Sequence, residues 1–556
     1  MRPNGKWFHL LMPAIVLFII SCVSHDNAIN PEGRSSFIAW AGPFMSDDYT
    51  LLITLADTSS LDTGTIQMFL NGEMLQNDPL SNIEYSDSIL TFHIPAKQTT
   101  FTGTTCALDT VLRGSFQFPD GSLHSFIGRK AELAILDVSR GAQGKPILTA
   151  DDIQNEITFL DSVLRALHPA LFLYQSLADY KKSLIALNSP PNQSMELMTF
   201  YGALLPVVAN IGCTHTVLHP PEPFINDLKK AGVIPGSYLL DEDGLKFRTD
   251  PVSETQPGMH GRVVSINGIP EDKIVERMMN TASSDGRNEY YKRWFISQNF
   301  PFLYGSLFGL DSAFEITFSQ VSETGLPAIR QVILPATTPN LHKTPKPPLE
   351  LSVEGNGQVA VLTIRAFVAE DFERFRTELA KYFDSLHEMQ VKGLILDLRD
   401  NSGGHPFLSV ELLKHCIPDS FPYFTADTKN PELADLYKSQ HSHAHTYQGD
   451  LIVLTNSGVS STAGHFLSVL RANRQITIIG EPSGSGFACN DFHQTITLPI
   501  SGLKLNIPRT RFTTAVPPNL QTVIIKPDIP VRIVFYRAKD DFVMTKALQL
   551  LAHNTG

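Results

Sequence analysis

A chain of 556 residues is longer than one hydrophobic core can organise, so several domains are expected. Apolar residues make up 42% and charged residues 18%, the balance of a folded globular protein and not of a disordered one. The net charge of −12, with no long Lys/Arg run, excludes nucleic acid as a partner, because its phosphates need a basic face.

At the N-terminus, Arg2 and Lys6 precede an apolar run from Trp7 to Ile20 that Pro13 interrupts. The run is shorter than the roughly 20 residues of a spanning helix. It ends in Phe-Ile-Ile-Ser-Cys, residues 18–22, which resembles a bacterial lipobox with Cys22 as the lipidated residue. The expectation is a lipoprotein signal peptide over 1–22 and a polar tether over 23–34. The mature protein would then sit in a bacterial cell envelope, outside the cytoplasm, held to the membrane by acyl chains. An ordinary secretory leader with a chance cysteine is the competing reading. With Cys22 set aside, Cys106, Cys213, Cys416 and Cys489 remain, an even number that an oxidising compartment can pair in three ways.

Residues 35–145 alternate with period two, and Asn71-Gly72 and Asp120-Gly121 are hairpin pairs, so a small antiparallel β barrel or sandwich is predicted. At Thr149 the period changes. Acids follow a Thr cap, and Ile153, Ile157, Leu160, Val163, Leu164 and Leu167 make one helical face. Further helices are predicted over about 177–187 and 194–210, so 146–234 reads as a helical cap, with Gly212 ending the third helix and His215 in the loop beyond it. Residues 235–349 return to a β texture. Within them a strand, an Asn267-Gly268 turn and a helix after Pro270 resemble the end of a PDZ-like fold, whose open strand edge can take a peptide. A Pro-rich linker closes this part. From 350 to 556 strands and helices alternate, as in an α/β sheet with crossover helices, where sites form at the carboxyl ends of the strands.

Two such strand ends carry chemistry. In Leu-Ile-Val-Leu-Thr-Asn-Ser-Gly-Val-Ser-Ser-Thr, residues 451–462, Ser461 stands before a predicted helix, where free amides and the helix dipole favour negative charge. A plain N-cap is the competing role. In Leu-Asp-Leu-Arg-Asp-Asn-Ser-Gly-Gly, residues 396–404, the glycines allow a sharp turn that presents an amide of Gly403 or Gly404. With the amide of Thr462 it would form an oxyanion hole. Asp397 and Arg399 read as a pair that fixes the loop. A phosphate nest would need a Lys-Ser/Thr after the glycines, and there is none.

These two segments, with Leu-His-Pro-Ala-Leu at 167–171, Asn-Ile-Gly-Cys-Thr-His-Thr at 210–216 and Lys-Pro-Asp at 526–528, resemble the tail-specific, or C-terminal-processing, serine peptidase family, which includes the tricorn core. The likeness runs from about Thr149 to the end. It implies a ClpP/crotonase-like catalytic core in a multidomain α/β protein, Ser461 as nucleophile, oxyanion amides from the Gly403 turn and Thr462, and a peptide or protein substrate. One branch of the family uses a lysine soon after Gly-Glu-Pro. That position is Gly486 here, and no lysine lies between Arg474 and Lys504, which excludes the lysine dyad. The tricorn-like branch uses a cap-loop histidine, matched by His215, although the two residues before it differ from the family pattern. The branch also has an acid shortly before the final Pro-Asp, where this chain has Asn519 and Gln521; Asp491 is an alternative from elsewhere.

His465 and His493 are rival bases, and a Cys213 thiol paired with His215 is a third. The expected function is a lipid-anchored serine endopeptidase working through an acyl-enzyme, with no cofactor and no metal; the His-Ser-His-Ala-His run at 441–445 reads as a solvated lid. A peptide-binding protein on a peptidase scaffold without the chemistry is the competing class.

Overall fold

The computed structural model describes residues 37–131, 147–187, 194–249, 259–321, 327–338, 346–532 and 541–554, apart from short interruptions at 45, 57–63, 71–72, 87–88, 107–110, 355–356, 370, 427 and 429. The leader, tether, Cys22 and Asn71-Gly72 expectations lie outside the described residues. No helix among the described residues is long and apolar enough to cross a membrane.

The chain divides into two compact units. In the first, the strands between Phe37 and Ala131 form one nine-stranded antiparallel sheet, in which the first strand pairs with the last and the others pair with their neighbours in sequence. A single sheet forms, not the two of a sandwich. Its core is aromatic: Phe101 contacts Phe92, Phe116 and Phe126, and all four are buried. The Asp120-Gly121 pair makes its turn, with Gly121 at φ +84 and the Asp120 carboxylate accepting from Ser122 N.

The second unit contains the remaining elements apart from residues 158–166 of the first helix, which group with the first unit. Helix α1 (Ala150–Leu167) begins with a reciprocal cap, Asp152 N to Thr149 Oγ1 and Thr149 N to Asp152 Oδ2. The buried Glu156 of α1 accepts from Ser501 N and Oγ, which ties the helix to the turn at 498–503. Helices α2 (Leu177–Leu187) and α3 (Leu197–Ala209) follow. The third helix begins later than expected because Met195–Glu196 pairs as a strand with Ile147–Leu148. Helix α4 (Glu222–Ala231) leads to an antiparallel sheet of six strands between Ser237 and Pro335, five in a row and the short Ile269–Pro270 paired beside His260–Ile266. The predicted strand, Asn267-Gly268 turn and helix are present as His260–Ile266, two residues at positive φ, and α5 (Glu271–Thr281). The β texture expected here breaks for α6 (Glu289–Phe308), whose aromatic residues surround the helix and blur a 3.6-residue period.

The catalytic-core expectation covers a six-stranded sheet: Leu349–Glu354 (β1), Val359–Ile364 (β2), Gly393–Asp397 (β3), Asp450–Thr455 (β4), Thr477–Gly480 (β5) and, last in order, Ile529–Pro530 (β8). Only β1 is antiparallel to its neighbour. A side hairpin pairs Ala488–Asp491 (β6) with Thr510–Thr513 (β7). Every residue of β3 is buried, and the strand period explains how. Leu394 and Leu396 enter a core with Phe375 and Leu379 of α7 (Phe372–Glu388), Leu412 of α8 (Pro406–Cys416) and Phe466 of α9 (Thr462–Asn473). Ile395 enters the opposite core with Val543, Ala547 and Leu551 of α10 (Phe542–Asn554). Among the described cysteines, Cys213, Cys416 and Cys489 are buried free thiols, so the pairing allowed by an even count is not made among them.

Burial on both faces of β3 sets a stability expectation. Leu394→Ala should cost about 2–5 kcal/mol in urea unfolding, whereas Val353→Ala, at a half-exposed edge position, should cost well under about 1 kcal/mol.

Candidate active site

The carboxyl ends of β3 and β4 meet and are stitched together by side chains. Asp400 N donates to Asn456 Oδ1, and Asn456 Nδ2 donates back to Asp400 Oδ1, both near 2.9 Å. Ser460 N donates to Asn401 O, and Thr462 Oγ1 donates to Gly404 O. Asn401, fully buried, spans the β2 end and the turn, donating to Ile364 O and accepting from Gly403 N. Arg399 bridges Asp397 and Asp541, so the predicted pair forms and also anchors the start of α10. Trp294 of α6 adds a further tie, its indole N–H donating to Asp400 Oδ1.

Ser461 emerges from this junction at φ 53, ψ −129, a strained conformation for a residue with a Cβ, worth roughly 1–3 kcal/mol. Its hydroxyl makes no cap hydrogen bond with α9, which rules out the helix-capping role. It instead meets the Cys489 thiol of β6. Gly403, at φ +104, lies so close that a Cβ there would stand 2.8 Å from both Ser461 Cβ and Thr462 N. Of the two predicted glycine amides, that of Gly403 is committed to Asn401 Oδ1. Gly404 is bridged to Phe367 through its neighbours, because Phe367 N donates to Gly403 O and His405 N to Phe367 O. In such a parallel bridge the N–H and C=O of Gly404 face the other way, toward Thr462. Neither the amide of Gly404 nor that of Thr462 makes a backbone hydrogen bond among the described residues.

His215 arrives from the loop after α3. The helix ends at Ala209 with Asn210 as its cap; Gly212, at φ +74, turns the chain just beyond, and its carbonyl accepts from Gly286 N. Buried His168, from the Leu-His-Pro-Ala-Leu segment, holds the far side of the loop: its Nδ1 accepts from Ala170 N, so the proton is on Nε2, which donates to Thr216 Oγ1 at 3.0 Å. Thr214 donates through both N and Oγ1 to Asp285, so its oxygen accepts from His215 Nδ1 at 3.2 Å. His215 Nε2 lies 3.3 Å from Asp491 Oδ2. Burial raises the Asp285 carboxyl, with His215 opposing it; burial also acts to raise Asp491, but His215 and His493 hold it below the ordinary carboxylate value.

Ser461 and His215 are therefore gathered at one strand without touching. Cys489 and Asp491 are two residues apart in β6, on one face and about 7 Å apart, and no hydrogen bond joins Ser461 to His215 among the described residues. The third group at His215 is Asp491. Asn519 and Gln521 stand on an exposed loop, with Gln521 donating to Val516 O, and neither meets the imidazole. Of the rival bases, His493 binds the other oxygen of Asp491, at 3.2 Å. His465 is buried against Phe424, with both ring nitrogens unpartnered, and burial pushes it down to about 3. Burial pushes the Cys213 thiol up to about 12, which removes the thiolate a dyad would need. At Gly486 a Cβ would stand 2.0 Å from Thr522 O, so the lysine of the other branch has no room there. Asp285 and Trp294 carried no sequence signal, since each lies in a segment with neither period nor motif. The residues of the 441–445 run are exposed at His441, Ala444 and His445, as a solvated loop would be, but are also tethered: His441 to Ser420, His443 to Glu411 and His445 to Asp384.

Residues 358–531 match the model of peptidase family S41. The chain is 26% identical over 160 residues to the chloroplastic carboxyl-terminal-processing peptidase 2 of Arabidopsis thaliana, a stretch covering 29% of this chain and 30% of that protein. It is 28% identical over 136 residues to the carboxy-terminal processing protease CtpB of Bacillus subtilis, covering 24% and 26%. The matched stretches thus span less than a third of either relative. A crystal structure of a CPAF mutant superposes with a TM-score of 0.50 at 12% identity, covering 68% of this chain and 93% of that one, which is a likeness of fold.

The tautomer of His168 gives a pH test. Burial lowers this group from the ordinary 6.5 to about 4, so it is neutral when folded. Its stabilising share is complete above about pH 6.5 and is lost as the pH falls toward 4. Between pH 7.5 and 4.5 the wild type should lose on the order of 2–3 kcal/mol more in urea unfolding than His168→Gln.

Proposed function

Because residues 358–531 form a peptidase family S41 domain, we propose that the chain is a serine endopeptidase of the C-terminal-processing type, with Ser461 as nucleophile and His215 as base. The observation that carries this reading is Ser461 itself. Its backbone is strained, its hydroxyl is not spent on the helix behind it, and the nearby amides of Gly404 and Thr462 make no backbone hydrogen bond among the described residues. Nothing about packing requires that combination.

In this mechanism Ser461 Oγ attacks the scissile carbonyl, His215 Nε2 takes the hydroxyl proton, and the amides of Gly404 and Thr462 receive the oxyanion. The tetrahedral intermediate collapses to an acyl-enzyme as His215 returns the proton to the leaving amine, and water completes the cycle. The chain Asp285–Thr214–His215 orients the ring through Nδ1 and leaves Nε2 as the working nitrogen. The imidazole must swing from Asp491 toward Ser461 to act, a movement of a few ångströms along β6 that substrate binding drives. Asp491, left by that swing, then acts on the imidazolium only through its nearby negative charge, in place of the acid absent near Lys526. The sheet spanning 237–335 is a PDZ-like module whose edge strand receives substrate, and the chain is an envelope lipoprotein anchored at Cys22.

A fluorophosphonate probe tests the chemistry. Labelling should be abolished in Ser461→Ala and fall about 100-fold or more in His215→Ala. Asp491→Asn should lower the rate about 10-fold, whereas Asn519→Ala and Gln521→Ala should leave it unchanged. Gly403→Ala should suppress labelling by crowding Ser461. If the well-folded wild type does not react, the chain is a binding protein on a peptidase fold.

A further inference from the structure

Away from the crevice, three groups of metal-ligating type converge at the carboxyl end of α8. Glu411 and His415 are one helical turn apart and share a face, and His443 approaches from the 441–445 run. One ligand atom from each lies within 4.8 Å of the other two. His443 Nε2 is 2.7 Å from Glu411 Oε1, and the His443 and His415 rings are 4.2 Å apart, centroid to centroid. His415 is 4% exposed, and neither of its ring nitrogens has a hydrogen-bond partner. A buried imidazole with two idle nitrogens is costly unless something else binds one of them.

From this geometry we infer that Glu411, His415 and His443 form a binding site for a divalent transition metal of the zinc class, distinct from the peptidase chemistry. Two imidazoles and a carboxylate form a donor set suited to such an ion, and water would complete a tetrahedron at the partly exposed His443 edge. To bind, His443 carries its ring proton on Nδ1, freeing Nε2, and its hydrogen bond to Glu411 is exchanged for metal contacts.

The surroundings set both support and competition. The loop is already held on the helix end, with His443 N donating to Lys414 O and Tyr447 N to His415 O, so the ligands need only small side-chain shifts. Arg376 Nε, 3.5 Å from Oε1, and Lys414 Nζ, 3.4 Å from Oε2, also contact Glu411 and compete with the cation. Both are partly exposed and can withdraw, so neutralising Lys414 should strengthen binding. The ion would clamp the excursion between α8 and β4 onto the helix that follows the Gly404 turn, stiffening the oxyanion loop from its far end.

The test is metal titration of the full-length chain after treatment with EDTA and desalting. Zinc chloride followed calorimetrically should bind at one equivalent, cobalt chloride should develop visible absorption of a four-coordinate site, and zinc should raise the melting temperature. Affinity should fall about 10-fold or more in Glu411→Gln and in His443→Asn, which retains a donor toward Glu411. It should be unchanged in His445→Ala and rise in Lys414→Ala. The inference is overturned if the wild type shows no saturable binding, if both ligand variants bind as well as the wild type, or if His445→Ala removes binding as completely as His443→Asn. Peptidase labelling of Ser461 is read separately, so failure of either proposal leaves the other standing.

Discussion

Two reciprocal hydrogen bonds between Asp400 and Asn456 hold the site together, because they lock the ends of neighbouring parallel strands in one register. Parallel pairing alone aligns β3 with β4 only as far as Asp397 and Leu454. Beyond that point the chain leaves the sheet, and its loops would otherwise be free to separate. The side chains of Asp400, Asn401, Asn456 and Thr462 extend the pairing another turn. Within that extension Ser461 is held at a strained φ and Gly403 is pressed against it. Such strain persists only where surrounding bonds over-determine it, and here they come from β2, β3, β4, α6 and α9.

The imidazole half of the site is built differently. His215 lies on a loop with no regular structure, and its position comes from polar contacts with buried groups: Thr214 to Asp285, Thr216 to His168 and Gly212 to Gly286. A hydroxyl fixed at strand ends thus stands near an imidazole held only by polar contacts. His215 pairs with the partly exposed Asp491, while the buried Asp285 holds the ring through Thr214.

The core also explains why position 486 takes no side chain. Gly486 packs against the Thr522 carbonyl, so a side chain there would force the 517–525 loop outward. His215 and Asp491, by contrast, come from the loop after α3 and from β6, segments far apart in sequence that only the tertiary fold brings together. Helix α6 serves the same end, with Asn288 at its start donating to the carbonyls of Ser483 and Gly484 and Trp294 bonding Asp400.

The sequence by itself determined the features set by short-range chemistry: the fully buried β3, the glycine turn after it, Ser461 before α9, the Gly212 turn ahead of His215 and the Asn267-Gly268 turn. Each rests on strand or helix period, or on a glycine where backbone must turn at positive φ, and so is legible within about ten residues. Only the tertiary structure decided which acid meets His215, which glycine amide stays free, that α6 interrupts a segment of β texture, and that the histidines of the 441–445 run are tethered to acids and a serine. Those outcomes join residues far apart in the chain, where side-chain geometry and desolvation select one partner from several of the same chemical type, and no local pattern encodes that selection.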